Sequence, residues 1–169
     1  ETSSYLGRSW GDKEIKEILD EYQVSYIVPD DLYLTTVKLI KDENIVGWFQ
    51  GRAEFGQRAL GNRSILATPL EKDIKRKINA KIKYREDFRP FAPSILEERA
   101  RDFFDITENV KSPYMEQVFP VKKEMQSKIP AVVHNDGTGR VHMVSKKTNT
   151  EFYRLIEAFE SLTTIPILL

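Results

Sequence analysis

The residues with the clearest chemical potential are arginines that stand between glycines. Three glycines recur at five-residue intervals in the run GRAEFGQRALGNRS, which includes Arg58 and Arg63 and ends at Ser64. Glycine permits positive φ and a close approach of the backbone, and guanidinium groups bind phosphate or carboxylate through paired hydrogen bonds. The run therefore predicts a binding loop for an oxyanion such as a nucleotide phosphate. The alternative is a tight turn whose arginines pair with Glu54 or Glu86.

This loop is not a P-loop. Gly56 and Gly61 have the GxxxxG spacing, but Asn62-Arg63 stands where the Lys-Ser/Thr pair must follow. The chain also contains no GxGxxG motif. A nucleotide bound at this loop would be held in another way.

A second basic segment, KYREDFRPFAPS, spans 83–94 and holds Lys83, Arg85 and Arg89. Pro90 and Pro93 exclude a regular helix here, so this stretch is extended. Because Pro90 fixes the backbone directly after Arg89, we expect that side chain to be presented at low entropic cost.

A third polar segment, HNDGTGR, spans 134–140 and reads as a turn. It contributes His134, Asp136, Thr138 and Arg140. Metal binding here is disfavoured, since the chain has two histidines and no cysteine. A Ser-His-Asp triad built from a serine such as Ser94 or Ser64 with His134 and Asp136 stays open, although no spacing supports it.

Composition limits the classes of function. The chain has 169 residues, 26 Lys or Arg against 26 Asp or Glu, and no cysteine, which excludes disulfides, thiolate metal sites and a cysteine nucleophile. No apolar run is long enough to span a bilayer, so we expect a cytoplasmic protein. Residues 51–90 carry a net charge of +6, which leaves RNA binding as an alternative. The aromatic residues within or directly after that block stand mostly beside apolar neighbours and are predicted to be core: Phe55, Tyr84, Phe88 and Phe91.

The elements that must position these residues are helices and strands in alternation. Asp12 is predicted to cap a first helix, and further helices are predicted to begin at Asp30 or Asp31, at Glu71, and at a capping box formed by Thr148 and Glu151. Predicted strands cover 45–49, 64–67, 131–134 and 140–144, and the apolar tail 165–169 resembles a core strand interrupted before its end. The order favours one α/β or α+β domain.

Four segments together resemble the C-terminal domain of the NodU/CmcH-type O-carbamoyltransferases. They are GRAEFGQRALGNRSILATP (51–69), KIKYREDFRPFAPSIL (81–96), SPYM (112–115) and PAVVHNDGTGRVH (130–142). The resemblance extends to TEFYRLIEAF and TTIPILL and so covers nearly the whole chain. It implies a YrdC-like fold, a twisted mixed β-sheet flanked by helices.

The resemblance also implies an activity. Such a domain is expected to bind carbamoyl phosphate and ATP, with Mg²⁺ accompanying the ATP, and to form carbamoyl-adenylate for transfer to a hydroxyl-bearing acceptor such as a sugar. Iron and the acceptor site are expected in an N-terminal Kae1-like domain that is not in this chain. The family also carries an Asn-Thr-Ser-Phe-Asn motif after the final strand, which is not in this chain. Without that motif we expect weak substrate binding and little turnover.

Both substrates are polyanions, and catalysis of their reactions depends mostly on positioning and charge neutralisation. We therefore assign catalytic roles to Arg58, Lys83, Arg89 and Arg140. Nucleotide binding or loop support is assigned to Arg63, Ser64, Arg85, His134, Asp136 and Thr138. The chain departs from the family at Gln57, His142 and Thr164, where proline, glutamine and glycine are usual; the first change is expected to loosen the Arg58 loop.

Overall fold

Helices and strands alternate along the chain in the computed structural model, which describes residues 3–169. The helices are α1 (Asp12–Glu21), α2 (Leu32–Lys41), α3 (Ile74–Ile78), α4 (Ala100–Phe103), α5 (Lys123–Gln126) and α6 (Thr150–Thr163), with a π-helical turn at Asn79–Lys83 and a 3-10 turn at Glu97–Arg99. The strands are β1 (Val46–Phe49), β2 (Arg63–Leu66), β3 (Ser94–Leu96), β4 (Gln117–Pro120), β5 (Thr138–Val144) and β6 (Ile167–Leu168).

The central sheet is mixed and has the strand order β4-β5-β3-β6. Strand β5 pairs antiparallel with β4 and parallel with β3, so that Ser94 is the register partner of His142. Strands β1 and β2 form a separate antiparallel pair, and two backbone hydrogen bonds between Ala67 and Leu169 connect the end of β2 to the tail. The fold is thus a mixed α/β arrangement with an open sheet, consistent with the YrdC-like fold that the resemblance implies.

The core lies between α6 and the sheet. Phe152, Leu155, Ile156 and Phe159 recur at helical spacing on α6 and are fully buried. Helix α2 packs against α6 and buries Val37 and Ile40 in the same cluster. Burial of these side chains explains why both helices form where the apolar periodicity predicts them.

Several predicted elements are confirmed. Helix α2 begins after Asp31, whose Oδ1 accepts a 2.9 Å hydrogen bond from the backbone N–H of Leu34. Strands β1 and β2 lie within one residue of their predicted ranges, and the tail forms β6. Helix α1 also lies where predicted, but its N-cap is Gly11 rather than Asp12, and none of its residues is buried. No helix within residues 3–169 has the length and apolar character needed to cross a membrane.

Three predicted elements are wrong in detail. The helix over 71–84 is divided into α3 and the π-helical turn, which ends at Tyr84 in the left-handed region. The N-cap of α6 is Asn149 rather than Thr148, because the Asn149 Oδ1 accepts the N–H of Phe152. The segment 131–134 is a turn after Pro130 instead of a strand, and β5 pairs with β4, a strand that the sequence did not predict.

Candidate active site

A cavity of about 290 Å³ opens between the glycine-arginine loop, the π-helical turn and the central sheet. Four cationic side chains line it: Arg58, Lys83, Arg85 and Arg140. None of its lining residues, among residues 3–169, is an aspartate or a glutamate. The site is therefore cationic on several sides and suited to an anion with more than one charge.

Arg140 shows how concentrated this charge is. It is half-buried on β5, and its Nε has no hydrogen-bond partner within the described residues. Burial lowers the pKa of Arg140, and the positive charges of Arg58 and Arg85 lower that pKa further. A bound anion would supply the missing acceptor and offset the repulsion among the three guanidinium groups.

Glu54 shapes the loop that carries Arg58. One carboxylate oxygen of Glu54 accepts hydrogen bonds from three backbone N–H groups, those of Leu60, Asn62 and Arg63, at 2.8, 2.8 and 3.2 Å. Because this carboxylate binds the backbone, it does not pair with the arginine side chains. Within residues 3–169, neither Arg58 nor Arg63 forms an ion pair with Glu54 or Glu86, so the alternative interpretation of the loop is wrong.

The same loop requires glycine at one position. Gly61 has φ +98°, and a Cβ atom there would lie 2.2 Å from the ring of Phe152 on α6. The backbone of the loop thus packs directly against the core, and this contact fixes the position of the backbone that carries Arg58. The Nη1 of Arg58 donates to the backbone oxygen of Tyr114 at 3.3 Å.

Arg85 is held by Asn79, a residue that the sequence analysis missed. Asn79 is fully buried, and its Oδ1 accepts a 2.7 Å hydrogen bond from the Arg85 Nε. The Arg85 guanidinium lies 4.7 Å from the centre of the Phe91 ring. No sequence signal singles out Asn79, since it stands among lysines in a pattern that predicts a solvated helix.

Two predicted residues of the glycine-arginine loop differ in what they contact. Ser64 lines the cavity, and its Oγ accepts the N–H of Gly61 at 3.0 Å. Arg63 does not line the cavity: it donates to backbone oxygens, including that of Gln50 at 2.6 Å, and lies 3.6 Å above the Phe49 ring. Its contacts are those of loop support.

Arg89 is not brought together with the cavity cations. Its side chain is exposed and forms a 2.8 Å ion pair with Glu86. Asn79 also contacts this segment, donating from Nδ2 to the backbone oxygens of Asp87 and Arg89 at 3.4 and 3.2 Å. The catalytic role assigned to Arg89 stays a prediction, without support from its position.

The remaining predicted residues form the turn before β5. Asp136 Oδ1 accepts from both the N–H and the hydroxyl of Thr138, at 3.0 and 2.7 Å, and His134 Nδ1 lies 3.1 Å from the Thr138 Oγ1. Burial lowers the pKa of His134, and the charge of Arg140 lowers it further. These contacts make the three residues a support for the start of β5.

The Ser-His-Asp triad is not assembled, because within the described residues His134 has no hydrogen bond to Ser64, Ser94 or Asp136: its Nδ1 contacts Thr138 and its Nε2 has no partner. Ser94 bonds to His142 rather than His134, with the Ser94 Oγ 3.0 Å from the Nδ1 of His142, and both residues are buried. Within the part of the chain that the structure describes, no group of three or more His, Asp or Glu side chains could hold a metal ion.

The exposure of the aromatic residues in the basic block corrects another prediction. Phe55, Tyr84 and Phe88 are exposed, whereas Phe91 is half-buried beneath Arg85. The apolar neighbours of the first three residues therefore did not indicate a core position.

Comparison with known proteins identifies the class of domain. Residues 37–169 match the family model described as Carbamoyltransferase C-terminus, and the chain belongs to this family. It is 46% identical over 141 residues to nodulation protein NolNO of Sinorhizobium fredii, covering 83% of this chain and 21% of NolNO.

Two further relatives have similar names. Nodulation protein NolO of Bradyrhizobium diazoefficiens is 45% identical, with 83% of this chain and 26% of NolO covered. Nodulation protein U of Sinorhizobium fredii is 42% identical, with 73% of this chain and 22% of the relative covered. The chain thus spans about a quarter or less of the length of these relatives.

Proposed function

We propose that this chain is the domain of an ATP-dependent O-carbamoyltransferase that binds carbamoyl phosphate and ATP. Together they yield carbamoyl-adenylate, which then carbamoylates a hydroxyl-bearing small molecule or sugar. The acceptor site and the iron belong, in this proposal, to a preceding Kae1-like domain. The expected cytoplasmic location stays a prediction.

One observation supports the proposal most strongly: four cationic side chains line a cavity that, within residues 3–169, no aspartate or glutamate side chain lines. In residues 3–169, Arg58, Lys83 and Arg140 have no carboxylate within 4 Å, and Arg140 lacks an acceptor for its Nε. A buried guanidinium N–H without an acceptor, such as the Nε of Arg140, is destabilising until an anion binds it. Carbamoyl phosphate and the phosphates of ATP are anions of the required kind.

The cations favour the proposed reaction by neutralising charge. Carbamoyl phosphate, ATP and water are converted to carbamoyl-adenylate, phosphate and pyrophosphate. Phosphate leaves from carbamoyl phosphate, and an oxygen of the resulting carbamate forms a bond to the α-phosphorus as pyrophosphate departs. Arg58, Lys83 and Arg140 would orient the two anions and stabilise the charge that develops on the departing groups. Arg85, held by Asn79, would contribute a fourth positive charge.

Mg²⁺ would enter with ATP. The cavity supplies donors and cations rather than carboxylates, so it fits the phosphate oxygens and not the metal itself. Mg²⁺ would neutralise charge on the phosphates, while the arginines hold the oxygens that the metal leaves free.

The test is to measure pyrophosphate release by the full-length protein with ATP, Mg²⁺ and carbamoyl phosphate. We expect release to require carbamoyl phosphate and to fall about 10- to 100-fold in Arg140→Met, since each hydrogen bond to a charged group contributes about 1.5–3 kcal/mol. Arg154→Met, an exposed arginine on α6, is the matched control and should leave the rate unchanged. Equal rates in the two variants would contradict the proposal.

A second candidate, a basic RNA-binding module without catalysis, is favoured by the exposed rings of Phe55, Tyr84 and Phe88 beside the basic block. It predicts RNA binding that weakens steeply with salt and is unaffected by carbamoyl phosphate. If carbamoyl phosphate instead displaces RNA from Arg140, the result would indicate that the cavity binds the small anion.

A further inference from the structure

Ser94 and His142 form a buried pair that the proposed reaction does not use. The parallel register of β3 and β5 sets the two residues side by side, and Ser94 Oγ lies 3.0 Å from His142 Nδ1. Ser94 also lines the cationic cavity. Its hydroxyl is therefore a neutral hydrogen-bonding group at a site dominated by positive charge.

Arg140 shares a face of the sheet with this pair. Residues two apart on a strand point to the same side, so Arg140 and His142 share one face of β5. Ser94, as the register partner of His142, lies on that face as well. A ligand whose anionic end is held by Arg140 thus has the Ser94 hydroxyl within the same cavity.

His142 fixes the direction of the Ser94 hydroxyl. The imidazole stacks on Phe152 of α6, with ring centres 6.2 Å apart, and burial lowers the pKa of His142 to about 3, which keeps the ring neutral. If Nδ1 accepts the hydroxyl proton, lone pairs of Oγ remain free to accept. If Nδ1–H donates, the hydroxyl proton remains free to donate.

We propose that Ser94, oriented by His142, binds the carbamoyl amide of carbamoyl phosphate while the cavity cations bind its phosphate. This inference rests on the proposed function. Lysine and arginine donate hydrogen bonds but accept none, so they cannot recognise an amide NH2 group. A hydroxyl can. Two other lining side chains are able to accept, but Gln57 is exposed and the Ser64 Oγ already accepts the N–H of Gly61, so we assign to Ser94 the role of distinguishing carbamoyl phosphate from a bare phosphate.

The experiment compares two stable probes by calorimetric titration of the full-length protein. Phosphonoacetamide carries both the carbamoyl amide and a phosphonate, whereas methylphosphonate carries the phosphonate alone. The variants are Ser94→Ala, the conservative His142→Gln, and Arg140→Met. Ser94→Cys keeps nearly the same volume, is a poor hydrogen-bonding group, and carries the same expectation as Ser94→Ala should the latter fail to fold.

We expect Ser94→Ala to raise the Kd of phosphonoacetamide about fivefold to tenfold, the effect of one lost hydrogen bond, and to leave the Kd of methylphosphonate unchanged. His142→Gln retains a neutral hydrogen-bonding partner and should raise the first Kd by less than about threefold. Equal effects of Ser94→Ala on both probes, or no effect on either, would overturn the inference. Arg140→Met should weaken both probes equally, and its failure to weaken either would instead overturn the proposed function.

Discussion

Asn79 and Arg85 are joined by a 2.7 Å hydrogen bond between the Asn79 Oδ1 and the Arg85 Nε, and by a backbone bond of 3.1 Å from the Arg85 N–H to the Asn79 oxygen. The amide of Asn79 also bonds to two backbone oxygens of the segment that follows. A fully buried amide in a π-helical turn thus sets the position of a guanidinium group in the cavity.

Replacing Asn79 by alanine should therefore weaken anion binding, although Asn79 does not line the cavity. We expect Asn79→Ala to raise the Kd for phosphonoacetamide about tenfold, because Arg85 loses the bond that orients it. Titration of Asn79→Ala, Arg85→Met and the double variant checks this: the effects should not be additive. Additive effects would show that Asn79 does not act through Arg85.

Glu54 should stabilise the fold through its three backbone bonds. Glu54→Ala leaves three N–H groups without their acceptor, and we expect it to lower the free energy of unfolding by about 1–3 kcal/mol. Urea denaturation measures this, with Glu157→Ala, an exposed glutamate on α6, as control. A loss no greater than that of the control would contradict the role given to Glu54.

An added methyl group should affect the stability of the protein very differently at two glycines. Gly61→Ala introduces a Cβ 2.2 Å from Phe152 at φ +98°, and we expect a loss of about 3 kcal/mol or more. Gly47→Ala on β1 meets nothing within 4 Å and should change stability little. Thermal unfolding of both variants is the measurement, and similar melting temperatures would be inconsistent with the packing described here.

How far the sequence predicted this molecule depends on the length over which a pattern extends. Helices α2 and α6 bury an apolar stripe at regular spacing, and both were predicted. Strand β3 contains three residues, too few to display an alternation, and it was not predicted; its pairing with β5 and β6 is set by contacts distant in sequence.

The same contrast holds at the site. Arg58, Lys83 and Arg140 were predicted from residue type and neighbours, and all three line the cavity. Arg85 and Arg89 stand four residues apart in one basic segment, and the catalytic role was predicted for Arg89. The structure brings only Arg85 to the cavity, because the bond that selects it comes from a buried amide in the preceding turn.

Stability should depend on pH through His142. Its pKa is lowered to about 3 in the folded protein, against about 6.5 for an exposed histidine, so between these values the unfolded chain binds the proton that the folded one excludes. Stability is therefore retained above about pH 6.5 and is lost as the pH falls toward 3. His134, whose pKa is also lowered, adds to the loss in the same direction.

The variant His142→Gln isolates this contribution. It removes the titrating group, so its free energy of unfolding should fall less steeply than that of the unaltered protein between pH 6.5 and pH 4. Urea denaturation across that range provides the comparison. Parallel curves for the two proteins would mean that His142 is not held neutral by burial.

Binding of carbamoyl phosphate in the four-cation cavity can be measured on the protein itself. Calorimetric titration of the full-length protein with carbamoyl phosphate should give saturable binding that weakens about 10- to 100-fold in Arg140→Met and is unchanged in Arg154→Met. Binding that is the same in both variants would contradict binding in this cavity.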